Sequence, residues 1–366
     1  MRCKSIIKTL IVIIIASIIY ACSSKYDQTK PNDILDTSIL PAEFRVDIPD
    51  ALSFDISIPE GRQRQDEIIS GGEIYESLRG FIWVGESAGD ILEELFTGIL
   101  SANVDNLVEF SVLSDNDGRQ KYFAVSQRVS YDGINYRYEL NAIDEDGERA
   151  AQILWNTKPI EVVAILNPYN INRNDNPNFA DVLLRIDYTE GHSDYEAAMT
   201  VYISDVPADS TGLDNIKMFA GRNGDLIEVF GNSNHPNLKM IDETFTGGRN
   251  YAFIGRADET EDVAVAEIAL PPSAVDTNIG IMNDYSLFNI LEDELHEVGI
   301  TNPLVIDLVL KNAKAPAYFI GDEGFVSSEN DIPDHEEFSE DFIDLSGLIP
   351  FIPRDIRDLQ VEFLSN

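Results

Sequence analysis

The stretch 132-DGINYRYELNAIDEDG-147 indicates the fold class. Between its two Asp-Gly pairs, apolar residues alternate with polar ones: Tyr136, Tyr138, Leu140 and Ala142 with Asn135, Arg137, Glu139 and Asn141. Such strict alternation predicts a strand of an antiparallel sheet with one buried face and one solvent-exposed face. Because Asp-Gly tolerates the positive φ angles of a type I′ turn, each end of the stretch predicts a hairpin turn.

The same turn signal recurs along the neighbouring chain. Asp117-Gly118 precedes Asp132-Gly133 by 15 residues, and Asp146-Gly147 follows it by 14. This regular spacing predicts an antiparallel meander over residues 108–156. Apolar and β-branched runs predict further strands at 160–166, 181–188, 197–204, 225–230, 251–256, 263–269 and 304–310. Strands and helices do not alternate regularly, which argues against a parallel α/β sheet.

Two segments carry helical periodicity instead. Residues 284–298 place Leu287, Leu291, Leu295 and Val298 on one face, and Gly299 provides a stop signal. Apolar residues also recur at the helical period, about 3.6 residues, from 73 to 100. We therefore predict a mainly β protein with a few helices (α+β). Its antiparallel meander would form a partial barrel or a sandwich packed on this N-terminal helix.

The 73–100 helix is expected to form part of the core. Gly85 and Gly89 lie one turn apart and offer a surface for close packing. Ile91, Leu95 and Phe96 lie on the most regular apolar stripe of the chain, and an amphipathic helix must bury such a stripe. We expect Leu95 to be buried against the meander, through Tyr136, Tyr138 and Leu140. Leu95→Ala would then cost about 2–5 kcal/mol.

The same helix contains 85-GESAG-89, which resembles the nucleophile elbow of α/β-hydrolases. The resemblance implies that Ser87 attacks esters. An elbow also requires parallel strands and a glycine-rich oxyanion loop, and no such loop is evident between Cys22 and Phe81. Asp307 followed by His335 keeps the order of acid and histidine, but nothing else marks this pair. Unbroken periodicity favours a structural Ser87, inside a continuous helix or capping a second helix with Asp90.

The amino terminus reads as a processing segment. A basic region with Arg2, Lys4 and Lys8 precedes an apolar run at 10–19, which is too short to span a bilayer. The run ends in 19-IYACSS-24, which resembles the lipobox of bacterial lipoproteins. The resemblance implies cleavage before Cys22 and acylation of Cys22 with a palmitate-type anchor. Residues 1–21 are then a signal peptide, 22–45 a lipidated tether and 46–366 a β-rich envelope domain, with a subdivision near 271 as an alternative.

Charge limits the partners of such a protein. The chain carries a net charge of −39, and loss of the three basic signal-peptide residues lowers it to −42. So acidic a body repels phosphate backbones and anionic headgroups, so we expect no nucleic-acid partner. Membrane contact is expected through the N-terminal lipid. The resemblance further implies an outer-membrane, periplasmic or surface-facing location, because Ser23 replaces the aspartate that favours inner-membrane retention.

Three features contain residue types that metal sites use. Glu292 and His296 share a helix face, but such a pair is more often a solvent contact. The segment 321–345 holds ten acidic residues and no lysine or arginine, typical of a solvated loop, with weak Ca²⁺ binding as the alternative. Asp115-Asn116-Asp117-Gly118 begins like a calcium loop but has Ser126 where the final glutamate should stand. We therefore predict no metal site, no catalytic residue and no cofactor.

Three functions remain open at this stage. The first is a lipid-anchored binding or interaction module of the cell envelope, in which the apolar face of the sheet holds either a hydrophobic ligand or simply the 73–100 helix. The second is a structural or surface-exposed lipoprotein that binds protein or glycan. The third and least favoured is a serine esterase that acts through Ser87.

Overall fold

The computed structural model describes residues 45–54, 71–101, 109–114, 117–191, 194–237 and 248–364, with the backbone alone over 90–101. These residues form thirteen antiparallel strands and a smaller number of helices, so the prediction of a mainly β protein with a few helices is confirmed. Cys22, the predicted signal peptide and most of the predicted tether lie outside the described residues. So do the side chains of Ile91, Leu95 and Phe96, and their predicted burial stays a prediction.

The chain divides into two compact units. The first unit consists mainly of Ser87–Val206 and Gln360–Asn366, and we call it the β1–β7 unit after its strands. The second, the β8–β13 unit, consists mainly of Asp47–Glu86 and Pro207–Leu359. Residue 271 lies inside the second unit. One long helix, α1 (Gly71–Ser101), contributes residues to both.

The β1–β7 unit is a meander in which each strand pairs with the next in the chain. Its strands are β1 (Glu109–Leu113), β2 (Gln120–Tyr131), β3 (Ile134–Asp144), β4 (Arg149–Thr157), β5 (Ile160–Leu166), β6 (Leu183–Glu190) and β7 (Ala197–Ser204). A short helix, α2 (Pro168–Ile171), and a 3-10 turn (Pro177–Phe179) lie between β5 and β6. Chain-order pairing is what short hairpin connections produce.

The β8–β13 unit follows the same rule. Its strands are β8 (Ile216–Asn223), β9 (Leu226–His235), β10 (Arg249–Asp258), β11 (Val263–Ala269), β12 (Ala317–Ile320) and β13 (Gly324–Ser328). Its helices are α3 (Ala208–Thr211), α4 (Ile281–Asp284), α5 (Leu287–Glu297), α6 (Pro303–Val309), α7 (Glu340–Ile343) and α8 (Pro353–Arg357). The helix predicted at 284–298 is α5, whose amino terminus is capped by the Ser286 side chain.

The opening stretch forms the expected hairpin strand. Asp132 and Gly133 have φ angles of 51° and 79°, as a type I′ turn requires. The four apolar residues of β3 are buried, whereas Asn135 and Arg137 are exposed. Glu139 departs from the pattern because it is only 6% exposed. Its carboxylate accepts hydrogen bonds from Gln152 and Ser126, which satisfy the buried charge.

One strand prediction was wrong. Residues 304–310 lie mostly in α6, which begins at Pro303 and is capped by the side chain of Asn302. The run LVIDLVL is apolar except for Asp307, so its periodicity did not distinguish a buried strand from a helix. The Asn-Pro pair before it was the decisive signal, because asparagine caps a helix and proline favours its first turn.

Helix α1 is continuous through the GESAG motif. Both motif glycines allow close approach, as predicted: a Cβ on Gly85 would lie 2.2 Å from Met218 Cε, and one on Gly89 would lie 2.5 Å from Arg45 Cβ. A Cβ on Gly71, at the helix start, would lie 2.2 Å from the backbone oxygen of Asn312. Gly71 therefore needs to be glycine because backbone lies against it, whereas at Gly85 the neighbouring atoms are the flexible end of Met218; none of the three glycines serves a strained turn.

Helix α1 covers one face of the β8–β13 sheet. Phe81 packs edge-on against Phe253 of β10, with ring centroids 5.5 Å apart. Tyr75 stacks on Phe325 of β13 at 5.8 Å. Gly231 of β9 leaves room for the Phe253 ring, because a Cβ there would lie 2.4 Å from it. The described part of the predicted apolar stripe is thus buried against this sheet.

The opposite face of the same sheet is covered by the chain beyond β13. Four buried residues of this face belong to the strands: Ile254, Val263, Val265 and Tyr318. Phe338, Phe342, Leu345 and Leu348 pack on them from the following segment. The acidic stretch 321–345 is therefore fixed by aromatic and aliphatic side chains at its carboxyl end. Both faces of this sheet are occupied by the protein's own residues.

Candidate functional site

Ser87 lies in the middle of α1 and is 4% exposed. A nucleophile elbow requires a tight turn between a strand and a helix, whereas the residues on both sides of Ser87 are helical. The candidate acid Asp307 lies on α6, exposed to solvent, and the candidate histidine His335 packs against Phe338. The capping alternative is wrong, because no helix begins at Ser87.

We expect Ser87→Ala to leave any ester hydrolysis by the purified protein unchanged, because a buried mid-helix hydroxyl is not presented to a substrate. Hydrolysis of a chromogenic acyl ester by wild type and variant measures this. Circular dichroism serves as the control that both are folded. A loss of about a hundredfold or more in a folded variant would make Ser87 a nucleophile.

The structure shows the surroundings of the residues that were candidates for binding a metal. The described residues hold no group of three or more histidine, cysteine or acidic side chains placed to bind a metal. His296 is exposed in the last turn of α5, with Glu292 one turn before it. Asp117 accepts hydrogen bonds from Lys121 Nζ at 2.9 Å and from the backbone of Arg173 at 3.0 Å.

Asp117 belongs to a buried charge cluster that the sequence analysis missed. At its centre the fully buried Asp144 side chain accepts hydrogen bonds from Arg119, Lys121 and Arg173, at 2.8–3.1 Å. Lys121 Nζ also donates to the carbonyl of Asn170. Burial alone would raise the pKa of Asp144, but the three cationic donors outweigh it and hold the pKa far below its usual value.

A second missed arrangement holds the chain immediately after the predicted tether. We call it the amino-terminal clamp, formed by Arg79, Glu86 and Asp262 around residues 47–54. Glu86 accepts hydrogen bonds from the backbone of Ile48, at 2.9 Å, and from the Ser53 hydroxyl. Asp262 accepts one from the backbone of Ala51 at 2.9 Å.

The third member of the clamp is a buried arginine. Arg79 is 2% exposed, and its Nη2 donates to the carbonyls of Asp50 and Gly321, at 2.6 and 3.0 Å. Its Nη1 pairs with Glu76 at 3.1 Å. The Phe54 ring lies 4.9 Å from its guanidinium carbon. Charged groups thus fix an irregular segment whose backbone has no strand partner to satisfy it.

The carboxyl-terminal chain is held by side-chain amides in a similar way. Asn215 Nδ2 donates to the carbonyls of Ile356 and Arg357, both at 3.0 Å. Asn232 Nδ2 donates to the carbonyl of Phe351 at 2.9 Å, and Asn250 Nδ2 to that of Pro353 at 3.1 Å. These asparagines are nearly inaccessible. They replace the ladder bonds that this irregular segment lacks.

A groove lies on the first three strands of the β1–β7 unit, with a volume of about 300 Å³. Its lining residues are Glu109, Ser111, Tyr122, Phe123, Ala124, Asn141 and Ile143. Tyr122 is 50% exposed, and Leu113, on the same face of β1 as Ser111, is 59% exposed. Asn141 Oδ1 lies buried at the base of the groove and accepts no hydrogen bond from the described residues. The groove therefore combines exposed apolar surface with a polar side chain at its base, as binding sites do.

His235, at the end of β9, is buried and neutral. Burial lowers its pKa to about 4, against a smaller opposite effect of the Gly212 backbone. Its Nε2 lies 2.8 Å from the Ser233 hydroxyl. In the unfolded chain a histidine titrates at about 6.5, so only the unfolded state takes up the proton between these two values.

Stability should therefore fall as the pH drops from about 6.5 to about 4, by about 3 kcal/mol in total from this residue. Urea unfolding of wild type across this range measures the slope. His235→Gln, which keeps a hydrogen-bonding side chain without a titrating group, should flatten it. Equal slopes in both proteins would assign the acid sensitivity to other groups.

No family model, curated protein or solved structure matches this chain. Among the described residues, no helix combines the length and the apolar character needed to cross a membrane.

Proposed function

We propose that this protein is a lipid-anchored binding module of the cell envelope, which uses the groove on β1–β3 to bind another protein. The anchor is Cys22, and residues 22–45 are the tether. The observation that carries the binding role is the groove itself, where Leu113 and Tyr122 remain exposed beside the buried Asn141 acceptor.

The amino-terminal clamp supports the tethered arrangement. The described chain enters the β8–β13 unit through residues 47–54, of which Ala51 and Leu52 are fully buried. Arg79, Glu86 and Asp262 hold this segment through hydrogen bonds to its backbone. Tension on a membrane tether would therefore act on a segment joined to the core, and the body would stay folded when pulled. A free amino-terminal arm has no need of such fixation.

The covering of the β8–β13 sheet favours a protein partner over a hydrophobic ligand. Phe81 and Tyr75 of α1 occupy one apolar face, and Phe338 and Phe342 occupy the other. A ligand bound on either face would have to displace these side chains. In the β1–β3 groove, by contrast, Tyr122 and Leu113 are already exposed. An extended peptide or a side chain of a partner would therefore bind there without displacing a covering helix or segment.

Site-specific photo-cross-linking in the producing cells tests this role. A photoreactive amino acid at Tyr122 should give a discrete adduct, because this side chain lies in the groove. The same amino acid at Leu226, which is 41% exposed on β9, is the matched control. Adducts of equal intensity from both positions, or none from Tyr122, would contradict the assignment of the groove.

Native mass spectrometry of the purified protein addresses the two alternatives. A stoichiometric co-purified lipid would favour the hydrophobic-ligand function. A glycan partner would instead give a Tyr122 adduct that forms only when saccharide is added and that contains no second protein. Both results differ from the protein adduct that we expect.

A further inference from the structure

Helix α6 presents its apolar side outward. Leu304 and Leu308 are 78% and 77% exposed, and Val305 beside them is 40% exposed. Ile306, on the opposite side, is 2% exposed and fills the inward position. A helix on a protein surface normally turns polar residues to solvent. Here three large aliphatic residues are exposed next to one another on a short helix. They form a contiguous apolar patch, unlike the isolated apolar residues that are common on protein surfaces.

The chain around α6 also departs from the charge of the rest of the protein. Residues 298–320 contain one acidic residue, Asp307, and two lysines; Lys314 pairs with Glu329 at 3.1 Å, whereas Lys311 is exposed. The segment is therefore slightly basic in a chain whose net charge is −39. Val298, which precedes α6, adds another large apolar residue at 47% exposure. Apolar residues followed by lysines suit the interface of a membrane with anionic headgroups.

We propose that α6 docks on the bilayer surface, with Leu304 and Leu308 inserted among the headgroups and Lys311 beside the phosphates. This contact adds to the lipid anchor of the proposed function and rests on it for proximity. A tether over residues 22–45 can extend at most about 80 Å. The anchor thus keeps α6 close to the bilayer, which raises the effective concentration of the membrane surface for this helix. The acidic body is repelled elsewhere, so α6 would set which side faces the membrane.

An environment-sensitive fluorophore at residue 308 tests the contact in the mature, full-length protein. The processed chain has no cysteine besides the acylated Cys22, so Leu308→Cys supplies a single reactive thiol. The protein is reconstituted into vesicles of phosphatidylethanolamine and phosphatidylglycerol. Emission should shift to the blue, and lipids that carry a shallow quencher should quench the probe.

Ile279→Cys is the matched control, because Ile279 is an exposed aliphatic residue, at 84%, outside the α6 region. We expect quenching at position 308 to exceed that at 279 several-fold. Equal quenching at both positions, or none at 308, would overturn the proposal. A blue shift at 308 that grows with protein concentration in detergent, without vesicles, would also overturn it and assign the face to a second copy.

Mass spectrometry of the Cys22 peptide from the same preparation separates this inference from the proposed function. An acylated Cys22 with an unquenched probe at 308 would overturn the α6 contact alone. If Cys22 is unacylated, the labelling is repeated with Cys3 and Cys22 replaced by serine, so that position 308 again carries the single thiol; quenching by added vesicles would then overturn the anchor and support the contact.

Discussion

Replacing Asp144 with alanine is expected to destabilise the protein by about 3–5 kcal/mol, as the loss of one member of a buried ion cluster does. The substitution leaves Lys121, whose side chain is 8% exposed, without its closest carboxylate, and removes a partner from Arg119 and Arg173. Lys121 keeps Asp117 at 2.9 Å, so the excess of positive charge left in a buried cluster, rather than one unpaired lysine, accounts for most of the expected cost. The free energy of unfolding in urea measures it.

Asp358→Ala provides the control for this prediction. Asp358 pairs with Arg357 at 2.8 Å, but both side chains are largely exposed. Solvent screens such a pair, so its removal should not change the unfolding midpoint measurably. If Asp144→Ala were equally silent, the cluster would be a surface network rather than part of the core.

The Asp144 cluster also predicts how the protein responds to acid. The folded-state pKa of Asp144 lies below its unfolded value, so its contribution to stability is complete above about pH 4. It is lost as the pH falls further towards the folded-state pKa. This pH range lies below that of His235, whose contribution to the stability of the protein is lost between about pH 6.5 and pH 4. Asp144→Ala should therefore remove only the lower part of the acid transition.

The second large effect is expected for Phe253→Ala, at about 3–5 kcal/mol. Phe253 is fully buried between the sheet and α1, and its ring meets Phe81 edge-on. Gly231 beneath the ring has no side chain to fill the cavity that alanine would leave. Chemical denaturation of the variant measures the loss.

A double-mutant cycle with Phe81→Ala isolates the contact between helix and sheet. An edge-to-face aromatic pair contributes about 0.5–1.5 kcal/mol of coupling beyond burial. We expect a coupling energy in this range between positions 81 and 253. Strict additivity of the two substitutions would contradict the packing of α1 on β10.

The sequence predicted those parts of the fold that depend on neighbouring residues. The Asp132-Gly133 turn and the alternation from Tyr136 to Ala142 are local signals, and both appear as expected. The continuous helix through Gly85 follows from a periodicity that extends on both sides. The exception, α6, failed because its apolar residues surround the helix and leave no polar face to show a period.

The sites depend on contacts between residues distant in sequence. Ala51 and Asp262, which meet in the amino-terminal clamp, are separated by 211 residues. Asp144 meets Arg173 across 29 residues. No spacing rule connects such pairs, and each charged residue alone resembles an ordinary surface residue. Glu139 illustrates the same limit. Its place in the alternating pattern of β3 predicts an exposed side chain, and nothing in the sequence indicates that Gln152 is buried against it.

Metabolic labelling with a fatty-acid analogue tests the central claim, that the protein is held in the envelope by a lipid on Cys22. The wild-type protein should become labelled, and Cys22→Ala should not. Cys3→Ala is the matched control and should be labelled like wild type, because signal cleavage removes residue 3. Equal labelling of wild type and Cys22→Ala would contradict the lipid anchor.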